Sequence, residues 1–187
     1  MEESPTEHFD HAQHAEHVAH TGDSFLTRVS ITIAILAVIA ATVGSLETIE
    51  TAATIGEKNA AVLLQNKATD TWNFYQAKSI KKNIYAIAAA QGGEAGDDYK
   101  KQSERYGSDE KELFAKGQEL EHQTEEKLHA SERHEHRHHI LTISVTFLHI
   151  SIAIATISII MRGRRWPWGL SIALGALGTL GAAFAYL

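Results

Sequence analysis

The sequence predicts an all-α integral membrane protein, with three transmembrane helices and a long antiparallel, coiled-coil-like helical hairpin between the first and second. Three observations predict it. Three apolar runs are each long enough to cross a hydrocarbon core of ~30 Å at 1.5 Å of rise per helical residue. The charges are kept apart from those runs: all 23 acidic residues lie between Glu2 and Glu135, and beyond His138 the only charged side chains are Arg162, Arg164 and Arg165. Finally, the only prolines are Pro5 and Pro167, so the strongest helix breaker is missing from everything between them.

Residues 1–24 form a polar, acidic, histidine-rich tail with too little apolar content to build a core. Its acidity, with no small-residue cleavage site after it, does not fit a signal peptide. The first span is residues 25–46, which carry one charge, Arg28, near the start. The second, residues 140–161, and the third, residues 168–187, carry no Asp, Glu, Lys or Arg. The short basic loop 162–167 joins them.

Residues 47–139 separate the first two spans, and their apolar positions recur with helical rather than alternating period. In the first arm the expected inward stripe is Ala61, Leu64, Ala68, Trp72, Tyr75, Ile80, Ile84 and Ile87. In the second arm Tyr99, Tyr106, Leu113 and Leu120 fall seven apart, the spacing of a coiled-coil seam. The turn belongs near residues 92–97, where Gly92, Gly93 and Gly96 free the backbone and Asp97 is placed to cap the next helix. A thin stripe on a lone pair of polar arms leaves it marginal, so a homo-oligomer is expected, with a four-helix arrangement in a dimer as the simplest solution.

Three arginines in a short loop between spans place that loop in the cytoplasm. The tail is then cytoplasmic and the hairpin extracytoplasmic. Lys127, Arg133 and Arg137 on the hairpin side oppose this assignment, but long segments weigh less than short loops.

The formal net charge is −6, and no basic face with interleaved aromatics occurs, which excludes a nucleic-acid partner. The absence of cysteine excludes disulfides, cysteine zinc sites and thiol catalysis. No nucleophile–base pair, phosphate-binding glycine loop or catalytic carboxylate pair can be placed, so no enzyme is expected.

Histidine is the outlier. His8, His11, His14, His17 and His20 are spaced by three, so neighbours on a helix can share a metal ion while all five cannot face one site. A solvated low-complexity tail is the simpler reading. Glu126 and His129, one turn apart, form a Glu-x-x-His pair of the kind di-iron bundles use, repeated at Glu119–His122 and Glu135–His138. In a helix rich in Glu, Lys and His, solvated i, i+3 contacts give the same pattern. A weakly bound transition metal is therefore the one cofactor candidate, and the sequence requires none. His149 stands near the middle of the second span on a face with Thr142, Thr146, Ala153 and Thr156, where an interhelical hydrogen bond is the expected role and transport the alternative. In the third span, Ser171 with Gly175 and Gly178 with Ala182 permit close helix approach.

The segment Asn66-Lys67-Ala68-Thr69-Asp70-Thr71-Trp72-Asn73-Phe74-Tyr75-Gln76-Ala77-Lys78-Ser79-Ile80-Lys81 resembles the signature of a bacterial membrane family, the domain of unknown function 4337. The resemblance implies the plan already read: one span, a long charged helical stretch bearing such a motif, then two closing spans. It also implies a bacterial inner-membrane location and carries no activity with it. Within the motif Trp72, Tyr75 and Ile80 are expected on the inward stripe, with Lys78 and Lys81 in a basic patch that serves either as solvated surface or as a contact for an acidic partner.

The leading expectation is a non-enzymatic membrane scaffold or accessory subunit, sitting in a lipid bilayer and acting by homo- or hetero-oligomerisation of its hairpin, with a membrane-protein partner in the second case. A sensor or binder of transition metals or protons is the alternative. A small transport or channel component centred on His149 is weaker.

Overall fold

A computed structural model describes residues 24–161 and 164–187. The five tail histidines, His8 to His20, lie outside the described residues. Among those that are described the chain is all-helical, with no strand: α1 is Ser24–Ala90, α2 is Gly96–Ile160 and α3 is Trp166–Phe184. Each helix contains a stretch long and apolar enough to cross a membrane.

The boundaries follow from local chemistry. With no proline in it, α1 runs uninterrupted for 67 residues. It stops where Gly92 and Gly93 take φ of 75° and 111°, backbone that an L side chain rarely adopts. α2 begins at Gly96, so Asp97 lies inside the first turn beside Asp98 rather than in the capping position expected of it. There the two carboxylates still face the positive end of the helix dipole. Pro167 opens α3 near its first position, where a missing N–H costs no hydrogen bond.

The described chain forms two compact units, one comprising α1 up to Ala53 with Arg133–Leu187, the other Thr54–Glu132. In the first unit α1 buries Val29, Ile33, Leu36, Ala40 and Val43, at alternating spacings of four and three. From α2 come Leu141, Leu148 and Ala155, seven apart, with Ile152 beside them. A second buried column on α2, Ser144, Ser151 and Ser158, is also spaced by seven. Ser144 and Ser151 meet α3, whose buried residues are Pro167, Ser171, Gly175, Gly178 and Ala182. Small side chains let the backbones come close: a Cβ on Gly178 would stand 2.8 Å from the Ser144 carbonyl oxygen. Ser151 Oγ donates to the Ser171 carbonyl at 2.8 Å. Dispersion contacts and such hydrogen bonds are the forces available to helices in an apolar solvent. Most hydroxyls in these stretches satisfy themselves on the preceding turn, as Thr42 does on the Val38 carbonyl at 2.9 Å.

This arrangement changes the reading of the polar face around His149. Thr146 and Ala153 are exposed, and the stripe that packs is the serine column instead. His149 itself is half-buried.

In the second unit α1 continues the same spacing with Ala61, Leu64, Ala68, Thr71, Tyr75, Lys78, Lys82, Tyr85 and Ala89, all buried or half-buried. α2 answers with Tyr106, Leu113, Gly117, Leu120, Thr124 and Ser131. The contacts pair rising positions on α1 with falling positions on α2: Ser131 Oγ donates to the Thr54 carbonyl at 3.4 Å, Trp72 Nε1 to Glu121 Oε1 at 2.9 Å, and Lys78 Nζ to Asp109 Oδ2 at 2.6 Å. Ile80, Ile84 and Ile87 do not share this face. They are 60, 58 and 62% exposed, a correction to the expected inward stripe. The cause is geometric: Tyr75 to Ile80 is a step of five, which turns about 140° around a helix of 3.6 residues per turn and leaves the seam.

Gly117 is where α2 lets an indole in. A Cβ there would stand 2.8 Å from Trp72 Cε2 and Cζ2, on a ring fixed by its hydrogen bond to Glu121 and by edge contacts with Tyr75 and Phe114. Gly117→Ala is expected to destabilise the protein by about 1–3 kcal/mol through overpacking. Gly56, exposed and with nothing within 4 Å of a built Cβ, is the internal control. Gly56→Ala should stabilise by roughly 0.5–1 kcal/mol through lower unfolded-state entropy. Thermal unfolding followed by circular dichroism checks both, and a neutral Gly117→Ala would refute the close indole packing.

Candidate functional site

The first unit contains a buried carboxylate, Glu50. Glu50 lies on the α1 column that runs Val29, Leu36, Val43, Glu50 in steps of seven, so the helix that buries those apolar side chains turns this one inward as well. It is 5% exposed. His134 on α2 occupies the same place in the series His134, Leu141, Leu148, Ala155, and its Nδ1 is 2.5 Å from Glu50 Oε2. Tyr186, just past the end of α3, donates its hydroxyl to Glu50 Oε1 at 2.9 Å. Arg137 completes the set, its Nη1 3.9 Å from Oε1 and its guanidinium 5.2 Å from the Tyr186 ring centroid.

A second layer adjoins it. Thr142 Oγ1 donates to Glu47 Oε1 at 2.6 Å, His138 Nδ1 is 3.9 Å from the same oxygen, and Thr51 Oγ1 lies 3.0 Å from His138 Nδ1. Glu47, Glu50, His134, Arg137, His138 and Tyr186 thus tie α1 and α2 to the residue after α3.

Burial by itself pushes the Glu50 carboxyl up, since desolvation penalises its charge. The hydrogen bonds from His134 and Tyr186, with the positive charges of His134 and Arg137, outweigh that and hold it below the usual glutamate range. Chemically this is a charge-compensated clamp.

The other sequence-selected residues fall elsewhere. Glu126 pairs with His122 at 3.8 Å, while His129 pairs with Glu132 at 3.2 Å, so the proposed ligands Glu126 and His129 each have a different partner. All four are well exposed, and among the described residues no group of three or more His, Asp or Glu is gathered to hold a metal ion. Of the five motif residues, Trp72, Tyr75 and Lys78 face α2 in the second unit, through Glu121, Phe114 and Asp109. Lys81 is exposed, with Nζ 5.8 Å from the Tyr106 ring centroid, and Ile80 is exposed as well. Lys82, one turn beyond Lys78, pairs with Glu110. The hydrogen bond from Lys78 holds Asp109 below the ordinary aspartate range, and that from Lys82 does the same for Glu110. Lys127 and Glu57 make a charge contact at 3.0 Å rather than an aligned hydrogen bond.

The motif that carries Trp72 lies wholly within the match to one family profile, a domain of unknown function (DUF4337), which covers residues 25–187. The chain belongs to the DUF4337 family. No curated protein and no solved structure matches it. In this DUF4337 chain the family region includes all three helices and both polar layers around Glu47 and Glu50.

The Glu50 clamp has a defined pH dependence. Because its folded pKa lies below the unfolded value, its stabilisation is present above the unfolded value and is lost as pH falls through the folded one. The protection of the Tyr186 and Leu187 amides from hydrogen exchange, taken relative to the intrinsic rate at each pH, should therefore fall on acidification below about pH 4, near and beneath the ordinary glutamate pKa. Glu50→Gln, which removes the charge but keeps the shape, should cost roughly 1–3 kcal/mol and abolish that acid step. An acid profile in Glu50→Gln that overlays the wild type would assign the transition to another group.

Proposed function

We propose that the protein is a non-enzymatic integral membrane scaffold or accessory subunit that works by association of its helical hairpin. In this reading residues 25–46, 140–161 and 168–187 are the spans, and residues 47–139 form an antiparallel, coiled-coil-like hairpin outside the bilayer. The paired contacts Thr54–Ser131, Trp72–Glu121 and Lys78–Asp109 support the antiparallel sense. The arginines at 162, 164 and 165 support a cytoplasmic second loop and tail with the hairpin extracytoplasmic, and the family resemblance suggests a bacterial inner membrane as the host.

One observation carries the association reading. Trp72, Tyr75, Lys78 and Lys82 of the first arm are engaged with the second arm of the same chain, while Ile80, Ile84 and Ile87 stand outward, opposite the seam. On the seam itself Lys78 and Lys82 occupy places where apolar residues are usual. A helix that puts lysine inside and isoleucine outside over the same three turns has a second face meant for burial.

Light scattering of the full chain, purified in mild detergent from native membranes, tests it. Wild type is expected at a mass above that of one 20.5 kDa chain. An Ile80→Glu, Ile84→Glu double variant should fall to the mass of one chain with its helical circular dichroism unchanged. A wild-type protein that runs as a single chain without a companion would overturn the reading.

A further inference from the structure

We infer that the outward isoleucine face is occupied by the same face of a second copy, related by a twofold axis normal to the membrane. This rests on the membrane-scaffold reading above and names its partner. The face belongs to the second unit and to α1 alone: Ala77, Ile80, Ile84 and Ile87 follow one another at spacings of three, four and three. That is the spacing of a helix-pairing seam, on the side of α1 away from Tyr75, Lys78, Lys82 and Tyr85. All three isoleucines are exposed, so the contacts among the described residues leave the seam open.

Charge distribution selects a second copy over an unlike partner. The seam contains no charge between Ala77 and Ile87. Its edges are Gln76 and Asn83 on one side, Phe74 and Lys81 on the other. When two identical helices pair in parallel, the residue on one edge meets the residue five places on along the other edge of its partner. Gln76 of one copy is then opposite Lys81 of the other, and Asn83 opposite Ala88, so no like charges meet and the Lys81 ammonium gains an amide acceptor. Below the apolar stretch Asp70 would meet its own copy, which limits the close pairing to the part of α1 beyond Asn73. An acidic partner would find only Lys81 on this stretch, because Lys78 and Lys82 are already paired with Asp109 and Glu110.

Parallel pairing is also what the membrane imposes. Copies inserted in the same orientation carry the face at the same height, and a twofold axis along the membrane normal sets each residue against its own counterpart. Confinement to a plane raises the effective concentration of that encounter.

The sequence has no cysteine, so single substitutions report single contacts. Ile80→Cys and Ile84→Cys are made in the full chain and oxidised mildly in native membranes, with Ala115→Cys, an exposed position on α2, as the control. A disulfide-linked band at twice the chain mass is expected at positions 80 and 84 and absent at 115. Differently tagged copies expressed together should co-purify, and Ile80→Glu with Ile84→Glu should remove that co-purification. Equal doubling at all three positions, or no doubled band at 80 and 84, overturns the second copy. If the wild-type mass instead exceeds one chain through a stoichiometric unlike protein, the scaffold reading stands and this inference fails. A wild-type mass of one chain removes both.

Discussion

A carboxylate carried on an apolar seam column is the constraint around which the first unit is organised. Glu50 continues the line of Val29, Leu36 and Val43, so α1 cannot pack those residues without also turning a charge inward. Left alone, a carboxylate this far from water would either take up a proton or unpack the helix. It stays charged because His134 arrives on the matching column of α2 and Tyr186 reaches it from beyond α3. The requirement also fixes register. Sliding α2 by one residue would exchange His134 for Arg133 or Glu135 and set the Leu141–Leu148–Ala155 column off its partners. Apolar packing tolerates small slips, whereas a charge that must meet a hydrogen-bond donor does not, and this is the best-attested use of a buried polar pair.

The second unit solves the reverse problem. Its arms carry little that a core could use, and two of the α1 seam places near the turn are lysines. Their stems cover apolar neighbours while the ammonium groups reach Asp109 and Glu110, and Lys78 also sits 5.0 Å from the Tyr106 ring centroid. The aromatic group Trp72, Tyr75 and Phe114 then supplies most of the large apolar contact, admitted by the missing side chain at Gly117. Surface ion pairs contribute little individually, so the arms are held by this aromatic contact more than by their many charges.

The helices, the break at the glycines and the first part of the seam were legible because each depends on residues close in sequence. The isoleucines were misplaced for a physical reason that the sequence does contain. Two stripes with the same spacing run along opposite sides of α1, one through Tyr75, Lys78, Lys82 and Tyr85, the other through Ala77, Ile80, Ile84 and Ile87. Following hydrophobicity alone leads from the first stripe to the second at the step from Tyr75 to Ile80. Following the spacing would have kept lysines on the seam and put the isoleucines outside. The Glu50 clamp was hidden differently: the seven-residue line through Val43 marks the glutamate as inward, but its tyrosine lies 136 positions away, and no local pattern joins them.

The proposed association rests on these two faces of α1. The polar groups Lys78, Lys82, Asp109, Glu110, Glu50 and His134 all pair within the chain. Each is neutralised by the contact that positions it, which leaves no poised acid, base or ligand set among them. Between Ala77 and Ile87 the exposed apolar side chains of α1 are regularly spaced. A soluble helix that needed nothing further would carry charge at positions 80, 84 and 87, and a few such residues would cost it little. Three β-branched isoleucines there lower helix propensity slightly and expose apolar surface in water, a cost that the proposed association would offset.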